Sequence, residues 1–200
     1  MVLQTMAPHF FGYGSLVNRA THDYPVAQPA RLSGWRRCWR HTATRTVAFL
    51  TVIPDGQTEI DGLIASVPNA DWAALDERER HYDRIALSMD EIPEASAIDL
   101  QIYQAKPAES APPTVKHPIL LSYLDVVVQG YLDVFGASGV EAFFESTDGW
   151  DGPVLNDRTA PRYGRHQVTT PEERDLTDAL LRSLSAQVQE LHETSLPGKS

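Results

Sequence analysis

The sequence predicts a mixed α+β fold. The first half carries several short runs rich in apolar and β-branched residues, bounded by glycine, proline and turn signals. One helix candidate interrupts these runs, and the second half is dominated by longer segments of helical character.

The elements follow in chain order. His9–Tyr13 is a short apolar strand that stops at Gly14. Arg31–His41 alternates bulky and polar residues, as a strand does. Thr46–Ile53 is a further strand, ended by the turn signal Pro54-Asp55-Gly56, and Glu59–Val67 is another, ended by Pro68. Asn69 reads as the N-cap of a helix running from Ala70 to about Tyr82. At helical spacing Trp72, Leu75, Glu79 and Tyr82 share one face, whereas Glu77, Arg80 and His81 point away. Glu79 is thus an acid set within an apolar stripe. Arg84–Ile92 and Ala97–Ala105 form a later strand pair across Pro93 to Ser96.

Pro118–Phe135 is long and apolar and reads as a buried helix, and Val140–Glu145 as a short one. Ser146–Gln167 is irregular and longer than a typical connector, hence a functional loop or a covering segment. Within it, Trp150 and Val154 offer anchors to the core, with the acids then facing water. Thr170-Pro171-Glu172-Glu173 is a capping box with proline at the first helical position. The helix it opens carries Leu176, Leu180, Leu184, Val188 and Leu191 as a docking stripe. Ser195–Ser200 reads as a frayed tail. Ala105–Thr114, with three prolines, resembles a linker, but no second core follows it. One domain over residues 1–200 is expected, with a core of about 8–135 and a helical and loop extension over 136–200.

Composition narrows the function. The chain has 200 residues, 17 Lys and Arg against 27 Asp and Glu, and a net charge of −10. That balance disfavours a nucleic-acid partner, which calls for a basic surface. Cys38 is the only cysteine, so neither an intrachain disulfide nor a cysteine-based zinc site is possible. The seven histidines are scattered without ligand spacing, and no metal or other cofactor is expected. Met1–Phe11 lacks signal-peptide character, and no run approaches the ~20 apolar residues of a membrane span. A cytoplasmic protein without a membrane partner is expected, as a monomer or homodimer. Residues 1–50 hold six arginines and one acid, a net +5, so the remainder carries −15. The plainer reading is a solvated strand face; the sharper one is a basic region that attracts a small anion.

Two features bear on chemistry. Phe10-Phe11-Gly12-Tyr13-Gly14-Ser15-Leu16 is a strand that breaks at glycines, where the backbone can approach a ligand and offer N–H groups. Its plainer reading is a turn. Glu79, held against Trp72, Leu75 and Tyr82, would be desolvated and raised toward the range useful for proton transfer. Its plainer reading is an acid paired with an arginine such as Arg84. Cys38, between arginines and tryptophans, reads as a reactive thiol or, more plainly, a structural one.

The loop Phe10–Leu16, then Gly34-Trp35-Arg36-Arg37-Cys38-Trp39, then Leu75-Asp76-Glu77-Arg78-Glu79 with a tyrosine soon after, resembles the gamma-glutamylcyclotransferase superfamily, including its ChaC-type and AIG2-like branches. The resemblance covers roughly residues 8 to 105. It implies a small mixed β-barrel flanked by helices. It also implies a small-molecule γ-glutamyl substrate (a peptide, glutathione or an amine) whose α-amine closes on its own γ-carbonyl to give 5-oxoproline. By the same resemblance Glu79 is the general acid and base. Phe10, Phe11, Gly12, Tyr13, Gly14, Ser15 and Leu16 grip the γ-glutamyl part, with Tyr82, Tyr103 and Tyr123 as further substrate contacts. Hydrolysis or γ-glutamyl transfer in the same pocket, or a non-catalytic binding module, are the alternatives. An anionic substrate would also give the basic first quarter, with Arg36 and Arg37, a steering role.

Overall fold

Two long antiparallel strands form the backbone of the fold. The computed structural model describes residues 7–25, 27–88, 90–92, 98–106 and 110–191. Strand β2 (Gln28–Thr42) pairs with β3 (Phe49–Ser66) along most of their lengths. β3 also pairs with β1 (Ala7–Gly12), which lies parallel to β5 (Ile98–Ala105), and β4 (Tyr82–Ala86) closes that side. On the other side β2 meets β6 (Ser110–Ala111) and β8 (Thr147–Asp148). The sheet curls into a half-barrel. Helices α1 (Trp72–Arg78), α2 (Leu121–Glu145) and α3 (Pro171–Ser183) accompany it. A small parallel sheet joins β7 (Ile119–Leu120), β9 (Val154–Asn156) and β10 (Val188–Glu190).

β1 lies between β3 and β5, so both its edges are hydrogen-bonded, and packing covers both its faces. Successive side chains of a strand point to opposite faces. Phe10 therefore packs with Leu16, Ala65, Val67, Leu75 and Tyr103, while Phe11 joins the larger core beneath α2. Burying each ring contributes about 1.5–3 kcal/mol.

The expected break between Thr46–Ile53 and Glu59–Val67 is absent, because one strand runs through it. Ser33 pairs with Glu59 and Trp35 with Pro54, so four residues of β3 oppose Gly34 alone. Pro54-Asp55-Gly56 does turn, with Asp55 accepting from the Gln57 N–H and the Thr58 hydroxyl, but the turn is an outward bulge. Gly34 opposite it sits at φ +82°, which glycine adopts without strain.

The helix expected over Ala70–Tyr82 is shorter at both ends. Asn69 lies at φ 55° in a 3₁₀ turn, and Asp71 is the N-cap, accepting from the Ala73 N–H. Glu79 is the C-cap and Tyr82 already belongs to β4, paired with Ala105. Pairing with β5 thus overrides helix propensity at Tyr82. The strand expected over Arg84–Ile92 is the shorter β4, and Pro93–Ala97 lies outside the described residues, as does the tail Ser195–Ser200.

Pro118–Phe135 begins as β7 and continues as α2, which also absorbs Val140–Glu145 across Gly136 at φ +70°. Asp157 satisfies the first turn of α2, accepting from the Ser122 N–H and hydroxyl at 2.8 and 2.6 Å. It is fully buried, so the expectation that the acids of the 146–167 segment face water fails there. Arg158 from that segment clamps Asp125 of α2 through two 2.7 Å bonds and pairs with Asp178 of α3. Trp150 and Val154 are buried as anchors. The Thr170–Glu173 capping box is formed. The stripe expected to run to Leu191 ends early: Leu184 is the C-cap and Val188 lies on β10, both substantially exposed, while Thr177 and Leu181 are buried.

Candidate active site

The loop after β1 is shaped by glycines and held from behind. A Cβ on Gly12 would stand 2.7 Å from the Leu16 Cβ, and one on Gly14 would stand 2.8 Å from the Tyr123 hydroxyl. The loop then enters a 3₁₀ turn, Ser15–Val17. Behind it the fully buried guanidinium of Arg37 donates to the Tyr13 carbonyl at 3.2 Å, to the Asp61 carbonyl, and to the Ser146 and Tyr131 hydroxyls. The ring of Tyr131 lies 5.1 Å from its charged carbon. Arg37 is therefore a structural cation that fixes a peptide plane, and it does not face solvent. Arg36 pairs with Asp148 at 2.7 Å and donates to the Glu145 carbonyl. Neither arginine lines the cavity described next.

The loop borders a small cavity that is partly open to solvent. Phe11, Gly12, Tyr13, Gly14, Ser15 and Leu16 form one wall; Leu50, Glu79, Tyr82, Tyr103 and Tyr123 form the rest. Of the residues expected from the sequence, only Phe10 is absent from this lining, because strand alternation turns it to the opposite face.

Each polar group on the wall has a distinct setting. Glu79 enters from the end of α1, its cap N–H bonded to the Leu75 carbonyl. Its side chain is 17% exposed and pairs with Arg78 Nε at 3.3 Å. Burial raises its pKa above the usual carboxylate value, and Arg78, Arg165 and Arg45 oppose that rise. Arg84 pairs instead with Asp76 and stacks on Trp72. Glu79 thus reaches the cavity from a helix cap, not from the helical stripe that the spacing suggests.

The tyrosines are anchored donors. Tyr13 donates to the Tyr103 carbonyl at 2.6 Å, Tyr82 to the Leu50 carbonyl at 2.9 Å, and Tyr103 to Asp76 at 2.5 Å. Burial, more than any other cause, raises the pKa of Tyr13, Tyr82, Tyr103 and Tyr123, which keeps all four hydroxyls protonated. Asp76, three residues before Glu79, fixes Tyr103; the sequence reading missed it although it lies inside the quoted motif. Leu50, Arg45 and Arg165 were also missed, since only folding brings them beside Glu79.

Cys38 is buried, and burial raises its thiol pKa, contrary to the reactive reading. Among the described residues, no group of three His, Cys, Asp or Glu side chains converges as a metal site. Likewise, among these residues no helix is long and apolar enough to cross a membrane.

Residues 10–121 match the sequence profile of the family described as "Gamma-glutamyl cyclotransferase, AIG2-like". No curated protein matches the chain. A solved structure described as "Gamma-glutamyl cyclotransferase" is similar at 18% identity and a TM-score of 0.52, with 88% of this chain and 99% of that chain covered. An uncharacterised protein from Homo sapiens gives 18% identity, a TM-score of 0.53 and coverage of 88% and 98%. YkqA from Bacillus subtilis gives 17% and 0.52 over 68% of this chain and 52% of that one. These likenesses show a shared fold.

Proposed function

Because the chain belongs to the gamma-glutamyl cyclotransferase, AIG2-like family, we propose that it cleaves a small γ-glutamyl compound by internal cyclisation to 5-oxoproline. One observation carries this reading: Glu79 and the glycine loop Tyr13–Leu16 border the same cavity.

The reaction asks little of the protein beyond placement and proton transfer. The substrate supplies its own nucleophile, so no activated serine or cysteine is required. A bent substrate in a small cavity has its α-nitrogen and γ-carbonyl carbon already adjacent, which supplies proximity. Glu79 removes a proton from the α-ammonium, and the freed nitrogen attacks the γ-carbonyl carbon. The carbonyl electron pair moves to oxygen, where backbone N–H groups of the glycine loop can meet the charge. As that pair returns, the bond to the leaving nitrogen breaks and Glu79 delivers its proton to that nitrogen; the second proton, which the ring nitrogen loses on becoming a lactam, passes by way of the same carboxylate to the released amine, which leaves as an ammonium. The products are 5-oxoproline and a free amine or amino acid. A carboxyl raised by burial above its ordinary value is a stronger base than an exposed one, which suits both halves of this cycle.

The test is a product assay. γ-Glutamyl dipeptides, glutathione and γ-glutamyl amines are incubated with the protein, and 5-oxoproline is quantified. Glu79→Gln is expected to abolish the product while the circular dichroism spectrum is retained. Unchanged activity in Glu79→Gln overturns the mechanism, and free glutamate in place of 5-oxoproline overturns the reaction class.

A further inference from the structure

A second cavity adjoins the first and shares Ser15, Glu79, Tyr82 and Tyr123 with it. It is the larger of the two. The carboxylate of Glu79 therefore stands at the boundary between two compartments. In the reaction proposed above, the scissile bond must also lie at that boundary, because Glu79 serves nitrogens on both sides of it. The γ-glutamyl part belongs in the smaller compartment against the glycine loop. Whatever the reaction releases belongs in the larger one.

The larger compartment has its own chemistry. Val47, Ala48, Phe49, Leu120 and Tyr163 give it apolar and aromatic walls. Among the described residues its charged lining is Arg45, Arg78 and Arg165 against Glu79, with His81 also on the wall. Arg78 is engaged with Glu79 and with the Thr21 carbonyl and hydroxyl. Arg45 is engaged less fully: its side chain interacts with the Tyr82 hydroxyl and its guanidinium lies 4.6 Å over the Phe49 ring, but among the described residues its buried Nη1 has no hydrogen-bond partner. A buried donor left unpaired in a cavity wall calls for a ligand acceptor. Arg45 comes from the turn between β2 and β3 and Arg165 from the 146–167 segment, so the fold brings two arginines together from 120 residues apart. Guanidinium groups match carboxylates in fork geometry.

We infer that this compartment is a leaving-group subsite, built for an amino acid with an apolar side chain whose free carboxylate is bound by Arg45 and Arg165. The inference rests on the cyclotransfer reading for the identity of the group but not for the existence of the site.

The test uses a matched pair, γ-glutamyl-L-phenylalanine and γ-glutamyl-phenethylamine, which differ only by the carboxylate. The wild-type protein is expected to favour the first by about tenfold or more in kcat/KM, the scale of a lost charge-assisted hydrogen bond. In Arg45→Gln/Arg165→Gln the ratio is expected to fall toward one. Arg165→Gln alone, at an exposed position, gives the same direction of change if the double variant does not fold. Calorimetric titration of both compounds into Glu79→Gln reads the subsite without turnover, and the same preference is expected there. Equal turnover and equal binding of the pair overturn the subsite while leaving the cyclotransfer reading in place. Carboxylate-dependent binding without any 5-oxoproline from the wild type overturns that reading and leaves the subsite. A ratio that the arginine substitutions do not move overturns the assignment of Arg45 and Arg165.

Discussion

Arg37 Nε lies 3.2 Å from the carbonyl oxygen of Tyr13, and through that contact a buried cation holds the loop on which the site is built. The guanidinium is fully buried, and among the described residues its hydrogen-bond partners are carbonyls and hydroxyls, with no carboxylate. It orients one peptide plane so that the next residues, Gly14 and Ser15, face the cavity.

Removing this support is expected to loosen the loop. Tyr131→Phe deletes a hydroxyl that accepts from Arg37 and lies 3.0 Å from the Tyr13 carbonyl. A stability loss of about 1–3 kcal/mol is expected from the buried groups left unpaired. Denaturant titration measures it, and a variant as stable as the wild type refutes the role.

Gly14 and Tyr123 are expected to be coupled. A methyl group at Gly14 would press on the Tyr123 hydroxyl at 2.8 Å and on Leu50 at 3.4 Å. Gly14→Ala is expected to lower kcat/KM by about 100-fold, the scale of an ångström of misplacement. Adding Tyr123→Phe removes the clashing oxygen and is expected to restore part of the loss. A double variant worse than the product of the two single effects contradicts the steric account.

The pH profile follows from Glu79. Its carboxyl is raised mainly by burial, above an ordinary value of about 4.3. The base must be ionised to act, so kcat/KM is expected to rise with pH along a limb lying above the usual carboxylate range. Arg78 is the foremost cation opposing the rise, so Arg78→Gln is expected to move the limb higher. A limb at the ordinary carboxylate position excludes Glu79 as the titrating base.

Stability carries the opposite sign. A carboxyl raised in the folded state contributes stability that is fully present below its unfolded pKa and is lost as pH rises through the folded one. Glu79→Gln is therefore expected to raise Tm at neutral pH while abolishing turnover. The gain is expected to vanish below about pH 4, where the carboxyl is protonated in both states. Thermal melts across pH read this directly, and a Tm difference independent of pH rejects it.

Asp157 ties the 146–167 segment to α2. Asp157→Ala leaves the Ser122 and Arg162 N–H groups without their carboxylate, at about 1–3 kcal/mol for each buried donor left unpaired. A large fall in Tm is expected, and Asp157→Asn, which keeps one acceptor, is expected to fall less.

The sequence by itself determined the class, the order of the main elements and the glycine loop, because these rest on local patterns. Phe10 and Phe11 read as strand whichever way each faces, and Thr170-Pro171-Glu172-Glu173 caps α3 through contacts four residues wide. It also picked out Glu79 as a desolvated acid; Trp72, Leu75 and Tyr82 do pack in one cluster, but Glu79 stands at the helix cap and Tyr82 on β4 rather than on one helical stripe. Tertiary structure decided the rest. Pairing with β5 ended α1 and turned Glu79 into a cap, and pairing with β2 carried β3 through a strong turn signal. It buried Arg37 and left Arg45 and Arg165 beside Glu79, reversing which arginines face the site. Local sequence carries propensity and periodicity, but desolvation and charge placement depend on residues far apart in the chain, and those meet only when the sheet curls.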